Sequence, residues 1–159
     1  MRPTLLPSEI ELLIYDCDGV LTDNRVSVDE FGHESVTFHR GDGLAISKIR
    51  DELKIRQIVI STETNPIVVK RCEKLGIPVI NGVGDKANTV RNYCTKNVID
   101  LNKVMFIGND LNDACVMDIV GHTGCPADAE PEIRSKSGWV SKKNGGYGVI
   151  RDLYRSLTA

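Results

Sequence analysis

An α/β fold of the three-layer, Rossmann-like type, with a central parallel sheet and a β-hairpin inserted after the first strand, is what the sequence predicts. Short apolar runs at Leu12 to Tyr15, Ile55 to Ile60 and Val104 to Ile107 have the length of buried strands, and each gives way to polar residues. Helix-like stretches lie between them. Alternation of the two calls for parallel strands joined by helices, with ligands bound at the strands' carboxyl ends near the point where strand order reverses.

The first run leads into Asp16-Cys17-Asp18-Gly19, which places two carboxylates at a strand end. Over residues 25–39 the pattern changes. Val26 and Val28 alternate with polar residues, Phe31-Gly32 suggests a turn, and Val36 and Phe38 resume the alternation, as in a hairpin flap. With few helices to cover it, its apolar face needs either the body of the protein or another subunit, so a homo-oligomer is expected. Leu44 to Leu53, Pro66 to Leu75 and Lys86 to Lys96 read as helices; Pro66 suits a first turn and Gly76 a helix end.

At 159 residues the chain is expected to form one domain, 1–159. Its net charge of -2, with the signs interspersed, excludes the basic face a sequence-independent nucleic-acid binder needs. Trp139 and four tyrosines are too scattered for base stacking. No apolar run reaches the roughly 20 residues that span a bilayer, and MRPTLLPSEI lacks a signal-peptide core, so a cytoplasmic location is expected. Five single cysteines without a CxxC pair read as reduced thiols. Cys17 reads as a buried strand residue rather than a nucleophile. His33, His39 and His122 show no metal spacing.

Crowded carboxylates such as Asp16 and Asp18 repel unless a cation or a shared proton relieves them, and an oxygen-rich set suits magnesium. The glycine directly after Asp18 and Val20 beyond it exclude a calcium loop of the EF-hand kind. A DxD pair alone also occurs on solvated turns. Here it has companions: Ser61 after the second run, Lys86 opening a helix, and Gly108-Asn109-Asp110-Leu111-Asn112-Asp113 after the third. Singly, Ser61 could cap a helix, Lys86 could be a surface lysine, and Asp110 or Asp113 could stabilise a helix start. Together, after strands of one parallel sheet, they describe a site.

These motifs resemble those of the haloacid dehalogenase superfamily, in its small capless phosphatases, over nearly the whole chain. The likeness is greatest to phosphatases of 3-deoxy-octulosonate 8-phosphate and of nine-carbon, sialic-acid-like 9-phosphates, and to a domain attached to some sialic-acid cytidylyltransferases. The hairpin and the tail Gly145-Gly146-Tyr147-Gly148-Val149-Ile150-Arg151 match that group. The resemblance implies a magnesium-dependent phosphomonoesterase in which Asp16 is the nucleophile and Asp18 the general acid and base. Ser61 and Lys86 would hold the phosphoryl group. Metal ligands would come from Asp16, Asp18 and either Asn109 or Asp110, with Asp113 in support. It also implies a tetramer formed through the hairpin and a sugar phosphate as substrate.

Two departures stand out. Asn109 occupies the place of a metal-binding acid, and an amide brings no charge. Ser61-Thr62-Glu63 replaces threonine, glycine and arginine of the octulosonate enzymes, which removes a bidentate carboxylate partner. Glu63 points instead to the nine-carbon group. Arg71 and Lys74 are then the candidates for the substrate carboxylate, with a solvated helix face as the alternative. Thr62, Gly41-Asp42-Gly43 and Arg151 are further contributors to a pocket shared between subunits. Two other readings stay open: a non-catalytic oligomerisation or regulatory domain linked to cytidylyltransferase activity, and a phospho-aspartate receiver, whose acids follow a different strand order.

Overall fold

A computed structural model describes residues 5–159; residues 1–4 of the expected domain range lie outside the described residues. Six parallel strands form one sheet in the order β5-β4-β1-β6-β7-β8. They are β1 (Leu12–Tyr15), β4 (Arg56–Ile60), β5 (Val79–Ile80), β6 (Val104–Ile107), β7 (His122–Cys125) and β8 (Trp139–Val140). The chain starts in the middle at β1, moves outward through β4 and β5, then returns to the other side of β1 as β6. That reversal makes the carboxyl ends of β4, β1 and β6 neighbours.

All four residues of β1 and of β6 are buried, because both faces of the sheet are covered. Alternate residues serve opposite cores. Leu13, Tyr15, Met105 and Ile107 pack beneath α1 (Arg40–Lys48), α2 (Ile67–Leu75) and α6 (Val149–Leu157). Leu12, Ile14, Val104 and Phe106 pack beneath α3 (Lys86–Asn97), α4 (Ala114–Met117) and α5 (Pro131–Lys136). This is the expected three-layer α/β arrangement. A buried relay crosses the first core: Tyr15 Oη donates to Gln57 Oε1 at 2.8 Å, and Gln57 Nε2 donates to the Ile46 carbonyl at 3.0 Å. No helix among the described residues is long and apolar enough to cross a membrane.

The hairpin is present but its ladder is shorter than the alternation suggests. β2 (Ser27–Val28) pairs antiparallel with β3 (Glu34–Ser35), across a loop in which Asp29 Oδ1 accepts from the Phe31 and His33 N–H groups. Gly32 takes the left-handed conformation there, at φ +82°. Val36 and Phe38 lie beyond the paired residues and turn inward, Phe38 onto the α1/α2 core.

The helix read over Leu44 to Leu53 begins earlier, at Arg40, despite Gly41 and Gly43, and ends in a wide π-type turn over Ile49–Leu53 closed by left-handed Lys54. A Cβ on Gly43 would lie 2.9 Å from Leu75 Cδ2, so α1 and α2 pack closely there and Leu75 would have to shift to admit a side chain. Helix α6 begins at Gly148, which has no side chain to cap it. Asp42 supplies the missing acceptor from α1, its Oδ1 taking the Arg151 N–H at 2.9 Å.

Candidate active site

The ladder continues one residue past β1, where the Asp16 N–H donates to the Ile107 carbonyl at 2.9 Å. The chain then turns sharply, the Cys17 carbonyl accepting from the Val20, Leu21 and Thr22 N–H groups. Gly19 adopts φ +86°, and a Cβ on it would fall 2.0 Å from Asn109 Nδ2, so this turn tolerates only glycine. Two carboxylates are thereby held at the mouth of the sheet, Asp16 buried and Asp18 half-buried.

Lys86 reaches Asp16 from α3, a helix whose start is fixed by Asp85 accepting the Asn88 N–H. Its Nζ donates to Asp16 Oδ1 at 2.8 Å and to Asp113 Oδ1 at 2.7 Å. Asp113 is wholly buried, and its other oxygen accepts the Asn109 N–H at 2.9 Å and the Asp110 N–H at 3.3 Å. One lysine thus joins the loop after β1 to the loop after β6, while Asp113 shapes the latter. Such a group of buried charges holds only if every member is paired.

The end of the Asn109 amide facing this loop lies 2.8 Å from the Asp18 carbonyl oxygen and 3.0 Å from Asp16 Oδ2. As nitrogen it donates to both. As oxygen it joins the Asp18 carbonyl and Asp16 Oδ2 as a third hard donor, and its spacing from each matches the edge of an octahedron with ligands at about 2.0–2.1 Å, the geometry magnesium requires. The residues therefore fit magnesium, through Asp16 Oδ2, the Asp18 carbonyl and the Asn109 amide. No group of three His, Cys, Asp or Glu side chains among the described residues is placed to hold a metal ion; the third donor here is an amide. Asp110 is engaged elsewhere, its Oδ1 accepting the Leu111 N–H at 2.7 Å.

Burial acts on both carboxyls in the same direction. Burial, reinforced by the Asp113 charge, pushes the Asp16 carboxyl up to about 7, and Lys86 opposes the shift. Asp18 is also raised, first by burial and then by the Glu63 charge, with Glu34 adding to it. A carboxyl raised in this way holds its proton more tightly than a free one, the direction a general acid needs. Burial and both aspartates drive the Cys17 thiol far upward, so it stays protonated.

Ser61 lies at the end of β4, nearly inaccessible, with its Oγ accepting the Glu63 N–H at 3.2 Å. Beyond it Thr62 and Glu63 are exposed, Glu63 at the wall of the cleft. A cavity of about 160 Å³ opens beside Asp18, between this loop and the hairpin. It is lined by Arg25, Glu34, Val36, Glu63 and Asn65 among others. Asn65 Nδ2 spans its rim, donating to Glu34 Oε2 at 3.1 Å and Glu63 Oε2 at 3.3 Å. The sequence reading did not single out Arg25, Glu34 or Asn65. Asn65 was within reach, as the Asn-Pro turn before α2, whereas Arg25 and Glu34 reach the cleft only because the hairpin folds over it.

Within one chain, the other expected binding residues lie apart from this cleft. Gly41, Asp42 and Gly43 form the first turn of α1, Arg71 faces them from α2, and Lys74 is exposed on the outer face of α2. A larger cavity of about 320 Å³ sits at the opposite end of β4, by Arg56, far from the carboxylates, so volume alone does not locate the chemistry.

A model of the haloacid dehalogenase-like hydrolases matches residues 44–153. Over 146 residues the chain is 31% identical to the 3-deoxy-D-manno-octulosonate 8-phosphate phosphatase of Escherichia coli (strain K12), covering 91% of this chain and 77% of that enzyme. It is 27% identical over 152 residues to N-acylneuraminate cytidylyltransferase A of Danio rerio, covering 92% of this chain but 34% of the relative, so it spans about a third of that enzyme. Among solved structures, a protein described as a HAD family hydrolase from Streptomyces avermitilis superposes with a TM-score of 0.95 at 34% identity, over 99% of this chain and 90% of the other. The 3-deoxy-D-manno-octulosonate 8-phosphate phosphatase of Moraxella catarrhalis, solved with magnesium, phosphate and KDO, gives 0.90 at 26% identity, over 95% and 87%. The strand order, the site and these likenesses converge: the chain belongs to the haloacid dehalogenase-like hydrolases and is a phosphatase of that family.

Proposed function

We propose that the chain is a magnesium-dependent, cytoplasmic phosphomonoesterase. Its substrate is a 2-keto-3-deoxy sugar acid phosphate, a nine-carbon, sialic-acid-like 9-phosphate. The observation that carries the reading is the Lys86 bridge between Asp16 and Asp113, set beside the Asp16–Asp18–Asn109 oxygen cluster. A carboxylate oxygen of Asp16 attacks phosphorus as the bond to the sugar oxygen breaks, leaving an aspartyl-phosphate. Asp18 gives its proton to the departing alkoxide. It then takes a proton from the water whose oxygen displaces Asp16, releasing inorganic phosphate and restoring the carboxylate. Ser61 donates to a phosphoryl oxygen, and Lys86 stabilises charge on the equatorial oxygens. Magnesium, when bound, supplies the positive charge that lets an anionic ester approach two carboxylates.

The octulosonate 8-phosphate phosphatases among the relatives support the sugar-acid class. The nine-carbon preference is supported by Glu63, an acceptor for substrate hydroxyls or an amide N–H, and by the likeness to the cytidylyltransferase. Exposed Val26, Val28 and Phe31 on the hairpin support a homotetramer in which Arg71 and Lys74 of one subunit serve a neighbour's cleft. Residues 1–159 are read as one domain carrying this flap.

Asn109 and the cytidylyltransferase likeness favour one rival, a non-catalytic oligomerisation domain. Phosphate release from a panel of sugar phosphates, with magnesium and with chelator, separates the two. Magnesium-dependent turnover that Asp16→Asn abolishes without unfolding is expected. Folded protein inert towards every member of the panel would favour the rival.

A further inference from the structure

Three buried side-chain polar atoms have no hydrogen-bond partner among the described residues: His39 Nδ1, Asp42 Oδ2 and Arg71 Nε. The three residues that carry them line one cavity beneath the first turn of α1, which Leu21, Phe38 and Leu75 help to close. Its volume is about 10 Å³. That is the room a single water occupies and far too little for a substrate.

The chemistry of the wall suits water. Asp42 Oδ2 only accepts, Arg71 Nε–H only donates, and His39 Nδ1 does either according to tautomer, so a molecule with two donors and two lone pairs satisfies all three. Asp42 is 3% exposed, and its other oxygen is already committed to the Arg151 N–H. Burial raises its carboxyl above the ordinary range, the Arg151 N–H and the charges of His39 and Arg71 opposing the shift.

The arrangement has a direction. The Arg71 guanidinium stands 5.4 Å from the centre of the Phe38 ring, and a Cβ on Gly43 would come within 3.4 Å of its Nη2. The ring and the helix backbone confine it from two sides. A hydrogen bond at Nε fixes its remaining rotation.

We propose that this cavity holds one ordered water that accepts from Arg71 Nε–H, donates to Asp42 Oδ2 and takes His39 Nδ1 as its third partner. Asp42 and His39 are then positioning residues that set the guanidinium plane of Arg71. Since the cavity joins the hairpin's return arm to α1 and α2, and Asp42 also caps α6, the flap and the guanidinium share one anchor. The kinetic consequence rests on the reading of Arg71 as the binder of the substrate carboxylate; the water itself does not.

Two measurements test this on the full chain. A crystal structure of the wild type, at a resolution that shows ordered solvent, is expected to place a single density peak within hydrogen-bond reach of Asp42 Oδ2 and Arg71 Nε. A dry cavity, or a direct Asp42–Arg71 ion pair, overturns the inference. In kinetics, Asp42→Asn is expected to raise KM for a carboxylate-bearing sugar phosphate about tenfold while kcat changes less than about threefold, because Arg71 is loosened and the reacting groups are not. Loss of kcat in step with Tm, KM unchanged, would mark Asp42 as merely structural and overturn the positioning role. Should Asp42→Asn fail to fold, the wild-type density decides. If the wild type turns over no sugar acid phosphate, the substrate reading fails, and the density still decides the water.

Discussion

Lys86 Nζ lies 2.8 Å from Asp16 Oδ1, and the same ammonium holds Asp113 at 2.7 Å. Among the described residues it is the one cation that pairs with these two buried carboxylates. Lys86→Met leaves them facing each other, and breaking a buried ion pair by removing one partner typically costs about 3–5 kcal/mol. Losing a preorganised donor at a developing charge lowers kcat by about 10²–10³. Urea denaturation in chelator and phosphate-release kinetics check the two effects. A stability change within about 0.5 kcal/mol, the size of an ordinary surface substitution, would mean that this lysine does not hold the two loops together.

Asn109→Asp tests the oxygen cluster from the other side. A carboxylate brings a formal charge to a hard cation, so the magnesium concentration for half-maximal activity is expected to fall about tenfold, ligand charge being what tunes affinity in such sites. In chelator the same variant should melt earlier than the wild type, because the new charge faces Asp16 Oδ2 at the distance where Asn109 now sits, 3.0 Å. An unaltered magnesium requirement would remove position 109 from the metal site.

The parts legible in sequence are those whose chemistry is local. The runs ending at Tyr15, Ile60 and Ile107 are strands because both sheet faces are covered, and Asp16, Ser61 and Asn109 follow them at adjacent strand ends. β5 and β8, two residues each, and β7, His-Thr-Gly-Cys, carry no readable alternation; pairing with neighbours makes them strands. Helix α6 is absent from the elements expected above, although Val149, Ile150, Leu153 and Leu157 recur at helical spacing and share one buried face. The roles of Arg25 and Glu34 are not legible in the sequence, because a hairpin's fold-back sets them and no spacing encodes it.

The tail glycines give a third test. A Cβ on Gly145 would stand 2.0 Å from the Gly19 carbonyl oxygen, and the Gly146 N–H donates to the Val20 carbonyl at 3.0 Å. The tail is therefore packed against the turn that carries Asp18, with no room between. Gly145→Ala forces that turn to move, with an overpacking cost of about 1–3 kcal/mol and a drop in kcat. Gly84→Ala is the control, as a Cβ there meets nothing within 4 Å. Comparable kcat in the two variants would show that the tail does not position the turn.

Thiol titration reports on packing. Cys17, Cys72, Cys94 and Cys125 are buried, whereas Cys115 is exposed. Burial raises the Cys17, Cys72 and Cys94 thiols, which keeps them from the thiolate form that reacts. A disulfide reagent at pH 8 should label one thiol rapidly in the native protein and all five in denaturant. A second fast thiol would place one of the four in an open environment.

Phe31 is 77% exposed and Val28 60%, yet the same hairpin supplies Glu34 and Val36 to the wall of the cleft beside Asp18. A flap that is apolar outside and functional inside is best served by a partner covering its outer face. Val28→Asp with Phe31→Ser is therefore expected to shift the sedimenting species from the proposed tetramer to smaller forms. The activity should then divide by substrate. Turnover of a simple aryl phosphate needs only the groups around Asp16, all from one chain. A sugar acid also needs a cation for its carboxylate, and Arg71 and Lys74 lie apart from the cleft of their own chain. Its KM is expected to rise about tenfold on dissociation, the loss of one charged contact, while the aryl phosphate is far less affected. A monomer that binds the sugar acid as tightly as the assembly would place the carboxylate site within one subunit, and Arg25, already at the wall of that cavity, would become the residue to replace.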